Sequence, residues 1–314
     1  MKRKESPFIR ELPERNASEH FRPRLNEAKK IAFIHNSFYI PEGFKELMEI
    51  IHDAFLDKGM ILYLLPSKDL LNASKERFSF FDYFIPYDKD VALLKRLENE
   101  GMPLLNSSLG IEIADSKVLT FLALKTAGVP VIPSFISPFC YEGGHYDELS
   151  FLGEIEKSLP YPFIIKEDKG SFGKGVHLVN NHEEAKMLIE RLNGRRFLFE
   201  PFIKECRGKD IRVLVLNGEI ICSYRRENPC DFRSNIALNG KATDYTVDKN
   251  TASVALNAVK ALGLAFAGVD ILMSNDGPLV CEINASPLFL AAKKATGVDV
   301  ASLLGDYVLS KIDQ

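Results

Sequence analysis

Gly268-Val269-Asp270-Ile271-Leu272 and Leu279-Val280-Cys281-Glu282-Ile283-Asn284 are the two segments that decide the fold of the C-terminal part of this chain. Both are short, rich in β-branched residues and bounded by polar residues, which is typical of strands. Residues 275–277, Asn-Asp-Gly, supply the turn between them. The pair therefore predicts a β-hairpin.

The polar residues of this hairpin are expected to share one face. Side chains alternate between the faces of a strand, so Asp270 should lie opposite its apolar neighbours. On the second strand, residues 279, 281 and 283 should form the apolar face, with Glu282 and Asn284 on the other. Two carboxylates and an amide would then lie on one surface, backed by an apolar core.

This oxygen-rich surface predicts a magnesium site. Mg²⁺ prefers oxygen ligands and binds through one or two carboxylates together with substrate phosphates. Asp270, Glu282 and Asn284 are the candidate ligands. An amphipathic hairpin with a solvated polar face is the alternative on spacing alone. The closeness of two acids favours a cation, because neighbouring carboxylates repel each other unless a charge or proton compensates.

A glycine-rich stretch follows the apolar segment that ends at Lys166. Its glycines allow a backbone turn to approach phosphate oxygens closely, and Lys166 can add a point charge. The spacing matches neither a Walker A loop nor a dinucleotide fingerprint. An ordinary glycine-rich hairpin turn explains the same pattern. The candidate phosphate-binding residues of this stretch are Gly170, Ser171, Gly173 and Gly175.

Basic and acidic residues alternate where the third part of the chain begins. Asp210 and Arg212 fall on one face of a predicted strand over residues 211–216, which joins a second strand over 219–225 through Asn217-Gly218. Further cations and amides follow at 225–226 and 231–235. Arginine suits a bidentate grip on phosphate. A surface salt-bridge ladder is the alternative.

Bulk composition excludes several classes of protein. The 314 residues are 46% hydrophobic with a net charge of −3, which predicts cores of real size and no overall basic nucleic-acid binder. The five cysteines form no CxxC pair, so neither a disulfide framework nor a zinc site is expected. No run of about 18 apolar residues and no signal-peptide core occurs, so we expect a cytoplasmic protein without a membrane partner.

Periodicity divides the chain into four parts. We predict a polar arm over 1–28, an α/β layer over 29–113, a central lobe over 114–199 and a C-terminal lobe over 200–314. Apolar residues recur at helical spacing from Phe44 to Phe55. Further strands are predicted at 31–35, 60–65, 82–86, 131–135, 163–166, 175–179 and 196–199. Further helices are predicted at 91–100, 117–126, 182–192 and 251–262.

Together these segments resemble the RimK-like, glutamate-ligase branch of the ATP-grasp superfamily, from about Asn106 to the C-terminus. The fold class implied is α/β and α+β, with a leading Rossmann-like domain and two lobes that grip ATP. The motifs that carry the resemblance are Asp115-Ser116-Lys117, Pro162-Phe163-Ile164-Ile165-Lys166, Gly208-Lys209-Asp210-Ile211-Arg212, Asp231-Phe232-Arg233-Ser234-Asn235, Gly268-Val269-Asp270-Ile271-Leu272 and Glu282-Ile283-Asn284-Ala285-Ser286-Pro287.

The resemblance also implies a role for each motif. Lys117 and Lys166 contact the ATP phosphates, and the glycine-rich loop closes over them. Arg233, Ser234 and Asn235 meet the terminal phosphate and the acyl phosphate, with Arg233 and Asn235 as the catalytic pair. Asp210, with Arg212 nearby, reaches the ribose. The adenine hinge is Glu200, Pro201, Phe202 and Ile203.

The activity implied is ATP-dependent ligation of a carboxylate to an amine through an acyl phosphate. Two Mg²⁺ ions are expected at Asp270, Glu282 and Asn284, and Mn²⁺ can replace them. The partners are ATP, a carboxylate of a peptide, protein or small molecule, and an amine such as an amino acid. A small-molecule ligase, a non-catalytic nucleotide-binding module and a phosphotransferase stay open as alternatives, as does self-association.

Two features depart from the family pattern. The family commonly has Gln-Glu at the hinge, where this chain has Glu200-Pro201, and Pro201 has no N–H to offer a base. The segment Leu288-Phe289-Leu290 is more apolar than its counterpart in glutamate ligases. An apolar wall near the acceptor would disfavour glutamate as the incoming amine.

Overall fold

A computed structural model describes residues 10–11, 28–141, 143–146, 148–235 and 240–314. Of the predicted arm, only Arg10, Glu11 and Ala28 are described, and the rest of that prediction lies outside the described residues. Three sheets organise the chain. The leading sheet, the central sheet and the C-terminal sheet follow one another along the sequence.

The leading sheet has the order β1-β3-β2-β4, in which β2, β3 and β4 run parallel and β1 is an antiparallel edge. Buried apolar runs form the parallel strands, as expected for a sheet covered on both faces. The strands are β1 (Arg10–Glu11), β2 (Lys29–His35), β3 (Met60–Pro66) and β4 (Tyr83–Tyr87); the helices are α1 (Phe44–Leu56), α2 (Lys75–Phe78), α3 (Val91–Asn99) and α4 (Ser108–Asp115).

The central sheet is wholly antiparallel, with the order β5-β8-β6-β7. Its elements are α5 (Lys117–Thr126), β5 (Phe135–Ile136), α6 (Ser150–Ser158), β6 (Phe163–Glu167), β7 (Val176–Val179), α7 (His182–Leu192) and β8 (Phe197–Pro201). The predicted strand at 131–135 is wrong except for its last residue. Pro133 lacks an N–H and interrupts the ladder, so Val131 makes only an isolated bridge to Val280.

The C-terminal sheet has the order β11-β10-β9-β12-β13. Its elements are β9 (Lys209–Leu216), β10 (Glu219–Glu227), β11 (Lys241–Asp244), α8 (Lys249–Ala261), β12 (Phe266–Ser274), β13 (Gly277–Asn284), α9 (Leu290–Thr296) and α10 (Val300–Ile312). Asn217 and Gly218 both have positive φ, 51° and 78°, as a tight two-residue hairpin turn requires. The predicted turn between β9 and β10 is confirmed.

The hairpin of β12 and β13 has the predicted pairing but one register shift. Asp270 pairs with Glu282, and a bulge at Cys281 then pairs Ile271 with Val280. The extra residue reverses the alternation, so Val280 is 1% exposed in the apolar core while residues 279 and 281 are only half-buried. The predicted apolar face of 279, 281 and 283 is therefore wrong for its first two members.

Asn106 joins the leading sheet to this hairpin. Its side-chain amide donates to the carbonyl oxygens of Phe266, at 2.8 Å, and Ala285, at 2.6 Å, and its oxygen accepts from the N–H groups of Ala265 and Phe266. Asn106 is 4% exposed, so all its hydrogen-bonding capacity is met within the protein. This contact holds the start of the strand that carries Asp270 and the end of the strand that carries Asn284.

The five cysteines are free thiols, as predicted. Among the described residues, no helix is both long and apolar enough to cross a membrane.

Candidate active site

Two buried lysines enter the cleft between the central and C-terminal sheets. Lys166, near the end of β6, is 3% exposed and donates to the carbonyl oxygen of Cys281 at 2.8 Å. Burial disfavours its charged form, but the neighbouring Cys281, Glu200 and Glu282 outweigh that effect and raise the pKa of Lys166. This lysine therefore remains a cation throughout the physiological range.

Lys117 is the first residue of α5 and is 9% exposed. Its Nζ donates to the carbonyl oxygen of Gly170 at 2.9 Å, which places a second cation at the start of the glycine-rich stretch. Burial lowers the pKa of Lys117, and the nearby positive charge of Lys166 acts in the same direction. Such a desolvated cation is well suited to bind an anion.

Glu200 does not behave as a hinge residue that presents only its backbone. Its side chain is 9% exposed and lies 3.9 Å from Nζ of Lys166, and burial raises its pKa. A cavity of about 20 Å³ beside it is also lined by Lys117, Lys166 and Glu282. That volume holds about one water molecule, so these four charged groups are packed closely against one another.

An open cavity of about 530 Å³ lies next to the end of β8. Pro201, Phe202 and Ile203, all predicted hinge residues, form part of its wall. Lys204 and Glu205 continue that wall, and Leu279 and Ser274 face it from the β12–β13 hairpin. Its size and largely apolar lining suit a nucleoside.

The stretch from Gly170 to Gly175, called the glycine loop below, is tied to its neighbours. Four of its residues have positive φ, at 145° for Gly170, 60° for Phe172, 73° for Gly173 and 76° for Gly175. Arg233 donates to the carbonyl oxygen of Gly173 at 2.7 Å, and a Cβ at Gly173 would lie 2.8 Å from Oδ1 of Asn235. The loop therefore packs directly on the predicted catalytic pair.

Arg233 is held by Asp231 through two hydrogen bonds from its guanidinium, at 2.9 and 3.0 Å. These hydrogen bonds raise the pKa of Arg233 and lower that of Asp231. About a quarter of the Arg233 side chain is exposed, so it borders the cleft. Ser234 instead turns inward and donates to Oδ2 of Asp210 at 2.5 Å.

A buried network of alternating charges underlies the site. Arg226 donates to both carboxylate oxygens of Asp210, at 2.7 and 2.5 Å, and its Nη2 lies 2.9 Å from Asp270. Arg212 makes a bidentate pair with Asp270. Burial opposes ionisation of Asp270, but the two arginines lower its pKa. All four residues are at most 8% exposed.

This network has consequences for two predicted roles. Asp210 is engaged by Arg226 and Ser234 and does not line the 530 Å³ cavity, whereas Glu205 does. Both oxygens of Asp270 are already occupied by arginines. Arg226 was not predicted as a partner of Asp210, because a register shift between Ile220 and Cys222 is what pairs it with Asp210; the turn at Asn217 alone would pair Arg225 there.

The predicted metal ligands come together across β12 and β13. Asp270 lies directly opposite Glu282, and Asn284 lies opposite Gly268 on the same strand pair. The side chains of Glu282 and Asn284 are half-buried, and within the described residues they make no hydrogen bond or ion pair. The described residues contain no group of three His, Cys, Asp or Glu side chains that could hold a metal. The carboxylate of Glu282 and the amide oxygen of Asn284 are donors of the kind that a hard ion takes when a ligand's phosphates also coordinate it.

Comparisons with known proteins agree with this geometry. A sequence model of the RimK-like ATP-grasp domain matches residues 140–308. The probable alpha-L-glutamate ligase of Maridesulfovibrio salexigens is 36% identical over 222 residues, which cover 69% of this chain and 70% of that protein. N-acetylaspartylglutamate synthase A of Homo sapiens is 33% identical over 226 residues, covering 71% of this chain and 56% of the human protein. The ATP-grasp ligase PsnB, solved with a minimal precursor, Mg and ADP, has a TM-score of 0.66 at 17% identity, over 90% of this chain and 98% of that one.

The fold and these relatives define the class as an ATP-dependent ligase that forms carbon–nitrogen bonds. Within that class, the chain belongs to the RimK-like ATP-grasp family. The predicted fold class and the predicted ATP-dependent ligase activity are confirmed.

Proposed function

We propose that this ligase joins the α-amino group of an amino acid to a carboxylate substrate through an acyl phosphate. The observation that carries the proposal is that Lys117 and Arg233 both donate to the glycine loop, while Lys117 also lines a small cavity together with Lys166 and Glu282. A carboxylate has a poor leaving group, so its activation by the γ-phosphoryl group of ATP must precede attack by the amine. The protein then contributes positioning and charge neutralisation.

The charge balance of the site supports metal-bound ATP as the ligand. Lys117, Lys166, Arg212 and Arg226 are matched by Glu200, Glu282, Asp210 and Asp270. A nucleotide with several negative charges would be costly to bury in a site already neutral, unless cations entered with it. We therefore propose two Mg²⁺ ions, for which Mn²⁺ can substitute, at Glu282 and Asn284; Asp270 would join these ligands only by exchanging an arginine for the metal, because Arg212 and Arg226 hold its oxygens. Bound metal would neutralise phosphate charge.

We assign the 530 Å³ cavity to the nucleoside. Phe202 and Ile203 offer apolar contact and backbone groups to the base, and Pro201 contributes shape alone because it has no N–H. Glu205 is our candidate for the ribose, in place of Asp210, because of the two carboxylates in the wall of this cavity, Glu205 and Asp276, it is the one that directly follows the hinge in the chain. We also propose the expected domain boundaries, between residues 113 and 114 and between residues 199 and 200. Helix α4 crosses the first boundary, and strand β8 crosses the second.

Glutamate is the first amine to test. Two relatives carry glutamate in their names, and the apolar segment that argued against glutamate has another explanation. Phe289 is 3% exposed and lies in the core against Phe266, so its apolar character serves packing. Leu290 packs at Gly43, where an added Cβ would lie 2.9 Å from its Cδ1.

The test combines Mg²⁺-ATP with a panel of carboxylates and amino acids, and measures phosphate release together with product mass. Glu282→Ala should lower turnover by about a hundredfold or more, because bound metal contributes several kcal/mol to phosphoryl transfer. Glu219→Ala removes an exposed glutamate at the start of β10 and serves as the control. Full activity in Glu282→Ala, or phosphate release without any amide product across the panel, would contradict the proposal.

A further inference from the structure

Lys89, from the leading sheet, reaches across to the glycine loop. It lies just after β4, and its Nζ donates to Oγ of Ser171 at 3.0 Å and lies 2.5 Å from Oδ1 of Asp115. Lys169, at the base of the loop, occupies the other oxygen of Asp115 at 2.7 Å. Two lysines and one carboxylate therefore join the leading layer, the end of α4 and the loop.

The backbone of Lys89 is held rigidly, so its side chain starts from a fixed position. Its N–H donates to the side chain of Asp88 at 2.7 Å, and Asp88 also accepts from the amide of Asn36 at 3.1 Å. On the other side, Asp90 caps α3 by accepting from the N–H of Leu93. Lys89 thus sits between two anchored aspartates at the carboxyl edge of the parallel sheet.

The loop that Lys89 meets is anchored at its base but held at its tip by few contacts. Asp168, just before the loop, accepts from Ser116 at 2.6 Å and from the N–H of Val118 at 2.9 Å, which fixes it to the start of α5. Beyond that point the tip is held by Arg233 at Gly173 and by Lys89 at Ser171. The first contact comes from the C-terminal layer and the second from the leading layer.

We propose that Lys89 is a positioning residue that latches the glycine loop closed through Ser171 and Asp115, and so keeps water from the acyl phosphate. The inference rests on the proposed ligase function. Exposed ion pairs contribute little to global stability, and about half of the Lys89 side chain is exposed. A lid whose open and closed states differ by a small free energy is nevertheless shifted by such a contact.

The matched control is Lys95, which also pairs with a carboxylate across two helices of the leading layer. Its Nζ lies 2.6 Å from Glu112, and its side chain is exposed to a similar degree, 49% against 53% for Lys89. Lys95→Met therefore removes a comparable surface pair that does not touch the glycine loop. Lys89→Arg keeps the charge and should largely restore the latch.

The experiment compares Lys89→Met, Ser171→Ala, their double variant and Lys95→Met in the full chain. Lys89→Met and Ser171→Ala should each lower kcat/KM for ATP about fivefold, equivalent to about 1 kcal/mol, and release more phosphate per amide formed. The double variant should be no worse than either single one, because both remove the same contact. Hydrogen exchange of residues 168–175 should quicken in Lys89→Met but not in Lys95→Met.

Several results would overturn the latch. These are an unchanged kcat/KM in Lys89→Met, equal losses in Lys89→Met and Lys95→Met, additive losses in the double variant, or unaltered exchange of the loop. If wild-type protein forms no amide, the proposed function fails, but exchange in the nucleotide-free protein still decides whether Lys89 holds the loop.

Discussion

The buried charge network and the glycine loop both serve the same cleft, yet they are built in opposite ways. Asp210, Arg226, Asp270 and Arg212 project from neighbouring strands of one sheet and are almost wholly buried. The glycine loop projects from a hairpin end, adopts positive φ at four residues and is tied down by single contacts. We call the charge network the floor, because sheet pairing fixes it, and the glycine loop the cover, because we propose that it closes over the site.

The contrast shows which contacts position the buried charges and which contacts hold the glycine loop. Cross-strand register fixes the arginines and aspartates because each backbone is held by its ladder, and low exposure makes an unpaired charge there costly. The loop has no such ladder across its tip, so small contacts decide its position. Removing a charged side chain from the floor should therefore mainly lower stability. Removing one that holds the cover should mainly lower catalytic activity.

The largest expected effect is on the floor. Arg226→Ala leaves Asp210 and Asp270 short of a buried partner, and should lower the free energy of unfolding by about 3–5 kcal/mol. Urea denaturation measures this. The neighbouring Arg225 is 45% exposed, lies 3.8 Å from Glu227, and provides the control. The free energy of unfolding of Arg225→Ala should stay within about 0.5 kcal/mol of wild type. Equal losses of stability in the two variants would contradict the distinction between the buried network and the surface.

A smaller effect is expected on the cover. Gly173→Ala places a Cβ at a φ of 73° and 2.8 Å from Asn235, and should lower kcat/KM for ATP about tenfold, since left-handed strain costs about 1–2 kcal/mol. Gly128→Ala has a similar φ of 69° with open space around the added Cβ. It should lose some stability but keep its affinity for ATP. Normal ATP kinetics in Gly173→Ala would show that the cover tolerates displacement.

The smallest effect concerns pH. Burial lowers the pKa of Lys117, so its cationic form is lost at a lower pH than that of an exposed lysine, and phosphate binding should weaken as pH rises through that value. The raised pKa of Lys166 keeps it charged over the same range. Lys117→Arg should move the alkaline limb of kcat/KM upward, whereas Lys125→Arg, at an exposed position of α5, should not. If the alkaline limb does not move in Lys117→Arg, the limb reports the deprotonation of another group.

Much of the fold followed from local pattern. The helix at Lys117–Thr126 and the helix at His182–Leu192 have the predicted ends, because apolar spacing and the residues that end each helix agree there. The strand at 131–135 failed because Pro133 outweighed β-propensity. The apolar face of β13 failed because a bulge at Cys281 cannot be read from alternation.

The candidate site residues came from the sequence, but most of the contacts between them did not. Residue types and motif order pointed to Lys117, Lys166 and Glu282, but nothing local indicated that Arg226 shares Asp270 with Arg212. Lys89 was not predicted as a site residue for the same reason. It lies far along the chain from Ser171, and only the packing of the leading sheet on the loop brings the two together.

The sequence by itself determined the classes of element, the carboxylates and amide of the β12–β13 hairpin and the family to which the chain belongs, because these depend on residue type and spacing. Only the tertiary structure decided which charges are paired and which are free to meet a ligand. That choice depends on distances between segments remote in the chain, where a few ångströms separate an occupied carboxylate such as Asp270 from an available one such as Glu282.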